Sequence, residues 1–198
     1  MAQIKASEEI KIAVSARHVH LTQEVVDVLF GKGFQLHSDK PVKGQFCSTS
    51  RVSVVCPKFT FDRVAVMGPC RNFNQFEFAI TDAIKAGVEP MVRMSGDIAG
   101  TPGCIIRGPE GEVEIKEGVI IAKRHIHLNP AIAEEMGIKD GDTVLLQVES
   151  DQRKLIFDDT VIRMNGSDKA PSVVHIDTDE GNAAQMSRAG VGKIIQIL

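Results

Sequence analysis

The chain has 198 residues, of which 43% are hydrophobic and 25% charged, and its formal net charge is -3. These values are typical of a globular protein that forms one domain or two small ones. Positive and negative residues are interspersed and Trp and Tyr are absent, so the sequence predicts neither a nucleic-acid groove nor a basic helix on a membrane surface. None of the four cysteines stands in a C-x-x-C pair, so we expect reduced thiols inside the cell rather than a cysteine zinc site.

An internal repeat is the most informative feature along the chain. Residues 15–21 have the sequence S-A-R-H-V-H-L, and residues 122–128 have the sequence A-K-R-H-I-H-L. A strand-like run precedes each copy, and an N-cap residue, Thr22 or Asn129, follows it. Two copies in matching contexts indicate duplication of a unit made of strand, R-H-x-H-L, cap and short helix, and therefore two similar halves.

Short strands with a few helices are predicted along the rest of the chain. Gly and Pro turns separate the alternating runs, as is typical of strands. The predicted strands are 10–14, 51–56, 63–67, 118–122, 143–148 and 194–198. The predicted helices are 23–30, 75–86, 131–136 and 177 to about 189, of which the first and third end at Gly31 and Gly137, while residues 96–111 are predicted as loop. This pattern favours a mainly β fold with capping helices, built from β-barrels.

The two H-x-H segments predict metal sites. Residues i and i+2 of a strand point to the same face, so His18 and His20 present two imidazoles side by side, as do His125 and His127. Imidazole is a favoured zinc ligand, and a catalytic zinc takes about three protein ligands and keeps an open position. One H-x-H pair is typical of ordinary strand histidines, but two pairs in matching contexts favour metal binding.

Two such sites need two further ligands. His175 ends a β-branched run before an acidic helix start, which suits a ligand, whereas His37 lies in a polar stretch and is expected on the surface. Glu77 is the carboxylate candidate for the other site. Arg71 follows a Gly-Pro turn six residues before Glu77, and a guanidinium near a dication is suited to hold a phosphate. The sequence therefore predicts two metal sites, while Glu77 and Arg71, each taken alone, are also typical of ordinary surface residues.

Five stretches combine the repeat with the segments around these candidates. They are S-A-R-H-V-H-L at 15–21, M-G-P-C-R-N-F-N-Q-F-E at 67–77, M-S-G-D-I-A-G-T-P-G at 94–103, A-K-R-H-I-H-L at 122–128 and H-I-D-T-D-E-G-N-A-A at 175–184. Together they resemble the PduL-type phosphotransacylases, also called phosphate propanoyltransferases. The similarity extends from about residue 10 to residue 198, nearly the whole chain.

The resemblance implies a fold of two intertwined, helix-capped β-barrels related by internal duplication. Residues 17–122 would form the central barrel, and residues 123–198 would form the C-terminal barrel, completed by the N-terminal strand 7–16. The implied enzyme is a phosphate acyltransferase. It would interconvert a short-chain acyl-CoA (acetyl- or propanoyl-CoA) plus phosphate with acyl phosphate plus CoA. Because no serine or cysteine stands beside a plausible base in the sequence, we expect phosphate to attack directly.

The resemblance also implies two zinc ions per chain and a substrate pocket. The implied ligands form two sets of three, His18, His20 and Glu77 in one set and His125, His127 and His175 in the other. Arg71 would bind the phosphate as the catalytic arginine. The other implied pocket positions are Ser15, Gln45, Gln75, Ser95 and Arg163.

Two other classes of protein stay open on the sequence. His18 and His20, followed by Glu24 and Gly31, copy part of the cupin spacing H-x-H-x₃-E-x₆-G, which favours a metal-dependent oxygenase or isomerase. That pattern expects an upstream glycine where this chain has Ile12, and strand where this chain predicts helix. The second alternative is a zinc-stabilised binding module without catalysis, although structural zinc sites normally have four ligands.

The predicted partners are acyl-CoA or CoA and phosphate or acyl phosphate, without nucleic acid or membrane, and the prediction is compatible with a homodimer. Family members that work inside bacterial microcompartments resemble each other in an amphipathic N-terminal extension. Residues 1–9 show no helical apolar stripe, so a cytoplasmic form is expected.

Overall fold

A computed structural model describes residues 2–3, 6–39, 44–167, 169–186 and 189–198. The chain divides into two compact units. We call the first, made of Met1–Ser15 and Lys123–Leu198, the barrel unit, and the second, made of Ala16–Ala122, the half-barrel unit. Each unit has its own core of buried aliphatic side chains, to which phenylalanines add in the half-barrel unit.

Strands are the main secondary structure of the described residues. In chain order they are β1 (Ala2–Gln3), β2 (Ile10–Ser15), β3 (His18–His20), β4 (Phe46–Val55), β5 (Thr60–Gly68), β6 (Gln75–Glu77), β7 (Val92–Arg93), β8 (Cys104–Arg107), β9 (Glu112–Ile115), β10 (Val119–Ala122), β11 (His125–Leu128), β12 (Thr143–Glu149), β13 (Lys154–Met164), β14 (Val173–Asp177) and β15 (Ala189–Ile197). All the predicted strands are confirmed. Except for β10, each is longer in the structure than the sequence pattern indicated.

Four short helices are described between the strands. They are α1 (Gln23–Phe30), α2 (Ile80–Ala86), α3 (Pro130–Met136) and α4 (Thr178–Ala183). The side chains of Thr22 and Asn129 accept the backbone hydrogen bonds that cap α1 and α3, as predicted. Asp177 forms a capping box with Glu180 at the start of α4. None of these helices combines the length and the hydropathy that a membrane crossing requires.

The barrel unit is a closed ring of six strands. The ring runs β15-β12-β13-β11-β14-β2 and closes because β2 also pairs with β15, while β1 lies outside it against β15. The half-barrel unit is a curled sheet of eight strands in the order β7-β10-β6-β3-β5-β4-β8-β9. These two sheets, with helices at their ends, confirm the expected mainly β, helix-capped barrel fold.

The strand that carries H-x-H has the same neighbours in both units. In the half-barrel unit, β3 pairs in parallel with β5 and antiparallel with β6. In the barrel unit, β11 pairs in parallel with β13 and antiparallel with β14. The registers correspond as well, because His18 is opposite Glu77 and His125 is opposite His175. The sequence repeat is therefore a repeat of strand arrangement, as duplication predicts.

Each H-x-H strand follows a strand that belongs to the other unit. β2 directly precedes β3 along the chain, yet it pairs in parallel with β14 in the barrel unit. In the same way, β10 directly precedes β11, yet it pairs in parallel with β6 in the half-barrel unit. The chain therefore changes unit at each R-H-x-H-L motif.

Three predicted elements are wrong in part. Residues 75–86 do not form one helix, because Gln75–Glu77 is strand β6, buried between β3 and β10, and α2 begins only at Ile80. The predicted loop 96–111 contains β8, which pairs with β4 and β9. Helix α4 ends at Ala183 rather than near Ala189, where β15 already begins. In each case pairing with distant strands overrode the local pattern.

The N-terminal segment and the cysteines complete the comparison with the sequence predictions. Of residues 1–9, on which the expectation about an N-terminal extension rests, residues 1 and 4–5 lie outside the described part, and β1 pairs with the end of β15. Cys56 and Cys104 are buried in the core of the half-barrel unit, where both pack against apolar side chains. All four cysteines are free thiols.

Candidate metal centres

His18, His20 and Glu77 form a compact buried cluster on β3 and β6. The Nε2 atoms of His18 and His20 each lie 3.3 Å from an oxygen of Glu77, Oε2 for His18 and Oε1 for His20. Four-coordinate zinc with bonds of about 2.0–2.2 Å separates its ligand atoms by ~3.3–3.6 Å along each tetrahedral edge. Two imidazoles and one carboxylate at these distances therefore fit a zinc ion with a fourth position open.

Backbone contacts fix the direction of the first imidazole. The Nδ1 atom of His18 lies 2.8 Å from the carbonyl oxygen of Ala16, so Nδ1–H donates there and Nε2 is left toward Glu77. A metal-binding histidine is commonly oriented by a carbonyl in this way. His20 differs, because its Nδ1 atom is buried and has no hydrogen-bond partner.

The carboxylate of Glu77 is ionised at neutral pH. Burial raises the pKa of Glu77, but hydrogen bonds to His18 and His20 and their charges outweigh burial and hold that pKa well below its usual value. Burial lowers the pKa of both histidines. For His20 the net direction is downward, whereas for His18 the hydrogen bond and charge of Glu77 outweigh burial and raise the pKa. The cluster therefore offers a buried anionic oxygen beside two imidazoles, a donor set suited to a dication.

His125, His127 and His175 form the corresponding cluster on β11 and β14. Their ring centroids lie 5.0, 5.2 and 5.4 Å apart, compared with 5.0 Å between the rings of His18 and His20. Three imidazoles on one tetrahedral zinc have ring centroids ~5.2 Å apart, given zinc–nitrogen bonds of about 2.0–2.1 Å. The Nδ1 atom of His125 lies 2.9 Å from the carbonyl oxygen of Lys123, which repeats the contact between His18 and Ala16. Among the described residues, however, only His18, His20 and Glu77 bring three ligand atoms within 4.8 Å of one another, so a second metal ion stays a prediction.

Arg71 lies in the loop that follows β5, within electrostatic range of the first cluster. Its positive charge lowers the pKa of both His18 and His20, although less than burial does. Nη2 of Arg71 donates to Oε1 of Gln45 at 2.6 Å, and the guanidinium lies 5.7 Å from the ring centre of Phe73. The half-buried guanidinium is thus held by an amide and an aromatic face beside the candidate metal ligands.

The remaining predicted pocket positions fall into two groups. Gln45, Gln75 and Ser95 lie in the half-barrel unit, where Gln45 contacts Arg71, and Gln75 and Ser95 contact Glu77. Ser15 and Arg163 lie in the barrel unit. Ser15 is opposite Asp177 at the end of β2, and Arg163 is opposite His127 on β13. His37 is exposed, as predicted, with Nε2 3.2 Å from the hydroxyl of Thr49.

The arginine of each R-H-x-H motif has a structural partner set that the sequence analysis did not find. Nη1 of Arg17 donates to Oδ1 of Asp82 on α2 at 2.6 Å, and its guanidinium lies 5.2 Å from the ring centre of Phe61 on β5. The first contact joins the residue before β3 to α2, the helix that follows β6. The second joins it to β5, the parallel neighbour of β3. The corresponding residues in the barrel unit are Arg124, Glu180 on α4 and Phe157 on β13.

The distances of the second set match those of the first. Nη1 of Arg124 lies 2.7 Å from Oε1 of Glu180, and the guanidinium lies 5.5 Å from the ring centre of Phe157. The signal was in the sequence, because F-D at 61–62 recurs as F-D at 157–158. Only the fold shows that both dipeptides face an R-H-x-H arginine. These arginines bind protein carboxylates, so they serve the packing of each unit.

The fold and the clusters define a duplicated, helix-capped β-barrel protein with a candidate metal centre on β3 and β6 and a histidine cluster at the matching place in the other unit. Comparison with known proteins agrees. The family model for phosphate propanoyltransferase matches residues 11–187. A phosphate propanoyltransferase of Thermotoga maritima is 45% identical over 187 residues, which cover 93% of this chain and 88% of that protein. The chain belongs to the phosphate propanoyltransferase family and is an acyltransferase.

Two further relatives show the same extent of similarity. A phosphate propanoyltransferase of Leptotrichia buccalis is 44% identical over 185 residues, covering 92% of this chain and 86% of that protein. One of Planctopirus limnophila is 43% identical over 184 residues, covering 90% and 73%. The family assignment replaces the two alternative classes. Against the cupin alternative, β3 has only three residues and is followed by helix α1 rather than by strand.

Proposed function

We propose that this protein interconverts a short-chain acyl-CoA, acetyl- or propanoyl-CoA, and phosphate with acyl phosphate and CoA, using two zinc ions. The proposal rests on the buried cluster of His18, His20 and Glu77, on which the positive charge of Arg71 acts, in a chain of this family. A cation site beside a guanidinium suits a dianionic substrate such as phosphate.

Two sets of residues would hold the metal. His18, His20 and Glu77 form the first set, and the three histidines 125, 127 and 175 form the second. When bound, zinc supplies Lewis acidity toward phosphate and the thioester carbonyl. The chain itself supplies the buried anionic oxygen of Glu77 and the carbonyl groups of Ala16 and Lys123, which keep two of the imidazoles in place.

Arg71 would bind and direct the phosphate. Its fork of N–H donors matches two phosphate oxygens, and the contacts with Gln45 and Phe73 restrict the guanidinium before substrate arrives. In the reaction, a phosphate oxygen forms a bond to the carbonyl carbon of the thioester. The C–S bond then breaks, its electron pair goes to sulfur, and CoA leaves as the thiolate.

We infer that this attack is direct, without an acyl-enzyme. Cys70 adjoins Arg71 along the chain, but burial raises the pKa of its thiol, and Sγ donates to Oε1 of Gln23 at 3.4 Å. Burial also raises the pKa of Cys56 to about 11 and that of Cys104 further. These thiols are protonated at neutral pH, and a thiol needs to be ionised to act as a nucleophile.

The test is thiol release from acetyl-, propanoyl- and butanoyl-CoA with and without phosphate. We expect release that depends on phosphate, together with formation of acyl phosphate. His20→Ala should abolish it, whereas His37→Ala, at an exposed histidine outside both clusters, should leave it unchanged. Phosphate-independent release would indicate a thioester hydrolase, and no release from any acyl-CoA would refute the proposal.

A further inference from the structure

We propose that Gln75 and Ser95 are positioning residues for Glu77, which hold its carboxylate in the orientation that presents it, together with His18 and His20, to the metal. The inference deepens the proposed function, since it rests on a metal ion at His18, His20 and Glu77. It concerns two positions that the family resemblance implies as substrate pocket. The contacts of both side chains, the exposure of Gln75 and the counterpart position in the barrel unit all point to a different role.

Oε1 of Glu77 accepts two hydrogen bonds from these residues. Nε2 of Gln75 donates to it at 2.6 Å, and the hydroxyl of Ser95 donates to it at 3.0 Å. Oε1 also lies 3.3 Å from Nε2 of His20, and Oε2 lies 3.3 Å from Nε2 of His18, so the carboxylate faces both imidazoles. The two donors restrict rotation of the carboxylate and keep it turned toward them.

Other groups of the protein engage both N–H groups and the oxygen of the Gln75 amide. Its two N–H groups reach Oε1 of Glu77 and the hydroxyl of Ser95, the latter at 2.9 Å. Its oxygen accepts from the backbone N–H of Gly96 at 2.8 Å, which fixes the direction of the amide. Gln75 is fully buried, with 0% of its surface exposed. Gln75 is therefore built into the protein side of the site.

The duplication supplies an internal comparison. The register that places His20 opposite Gln75 in the half-barrel unit places His127 opposite Val173 in the barrel unit. The third residue of the cluster in the barrel unit is His175, which has no carboxylate oxygen that an amide could hold in place. The amide donor is thus present where the third ligand is a carboxylate, and valine replaces it where the third ligand is a histidine. A carboxylate-positioning role accounts for this difference, and a substrate-binding role does not.

Metal affinity of each site tests the inference directly. We compare wild type, Gln75→Met and Ser95→Ala by zinc competition with a chromophoric chelator and by the visible spectrum of the cobalt-substituted protein. Partners that orient a metal ligand typically contribute 10–100-fold in affinity. We expect Gln75→Met to weaken one of the two sites by that factor and to change the cobalt spectrum, and Ser95→Ala to weaken the same site by a smaller factor. Gln45→Met, which removes an amide whose hydrogen bond among the described residues is to Arg71, should leave both affinities unchanged.

The outcomes separate this inference from the proposed function. If wild type binds no metal at His18, His20 and Glu77, the metal part of the proposed function fails. If wild type binds two ions and both variants bind them as tightly, with a raised KM for phosphate instead, the positioning role is wrong and the two residues contact substrate. Ser95→Ala removes one hydroxyl at a half-buried position, so it tests the inference even if Gln75→Met does not fold.

Discussion

Replacing Arg71 with alanine should cripple the use of phosphate while leaving the metals in place. Arg71 contacts Gln45 and Phe73, and its charge reaches His18 and His20, so its loss removes a charge beside the site and no metal ligand. A hydrogen bond to a charged group contributes about 1.5–3 kcal/mol. If the two hydrogen bonds from Arg71 to phosphate stabilise the transition state by about 3 kcal/mol, their loss lowers the rate ~100-fold.

The assay is kcat/KM for phosphate at saturating acyl-CoA, with metal content measured on the same samples. Arg71→Lys should recover only part of the loss, because a point charge lacks the fork geometry. Arg107→Ala is the matched control, since Arg107 lies on β8 of the same unit and pairs with Glu112 at the surface. A kcat/KM for Arg71→Ala within threefold of wild type would falsify the assignment and direct attention to Arg163.

Three other predictions follow from the clusters and the thiols. Unchelated protein should contain about two zinc ions per chain, and His37→Ala should keep both, so a value of zero or one at full activity would contradict the two-site assignment. Kinetics should be sequential, without exchange of labelled CoA into acyl-CoA in the absence of phosphate; if exchange occurs, Cys70→Ser should abolish it and reveal a hidden nucleophile. Stability should fall as pH rises above about 8.5 toward 11, because the buried thiol of Cys56 ionises more readily once unfolded. The midpoint of urea unfolding should fall less at alkaline pH in Cys56→Ala than in wild type. In Cys47→Ala, which removes an exposed thiol, it should fall as much as in wild type. Equal falls in all three proteins would rule out Cys56 as the cause.

The two proposed metal centres are expected to differ in chemistry, although both H-x-H motifs belong to one sequence repeat. The half-barrel unit sets an ionised carboxylate opposite its first histidine, and the barrel unit sets an imidazole at the same register position. An anionic ligand lowers the net charge of a bound dication, whereas three neutral imidazoles leave it unchanged. The cation in the barrel unit would therefore be the stronger Lewis acid of the two.

Much of the local structure and of the ligand set was determined by the sequence itself. The period of two along a strand places the histidines of each H-x-H pair on one face, and Thr22 and Asn129 cap the helices that follow. Both are properties of a few neighbouring residues. The duplicated motif also identified Glu77 and His175 as candidates, because each completes a set that the repeat leaves one ligand short.

Only the tertiary structure decided which residues surround those ligands. Gln75–Glu77 looked helical from its neighbours, yet it pairs as a strand between β3 and β10, and that pairing places Gln75 on Glu77 rather than toward solvent. The pairing of Arg17 with Asp82 likewise joins residues far apart in the chain. The physical reason is the same in both cases: strand register depends on the whole buried face of a sheet, and no short segment contains that information.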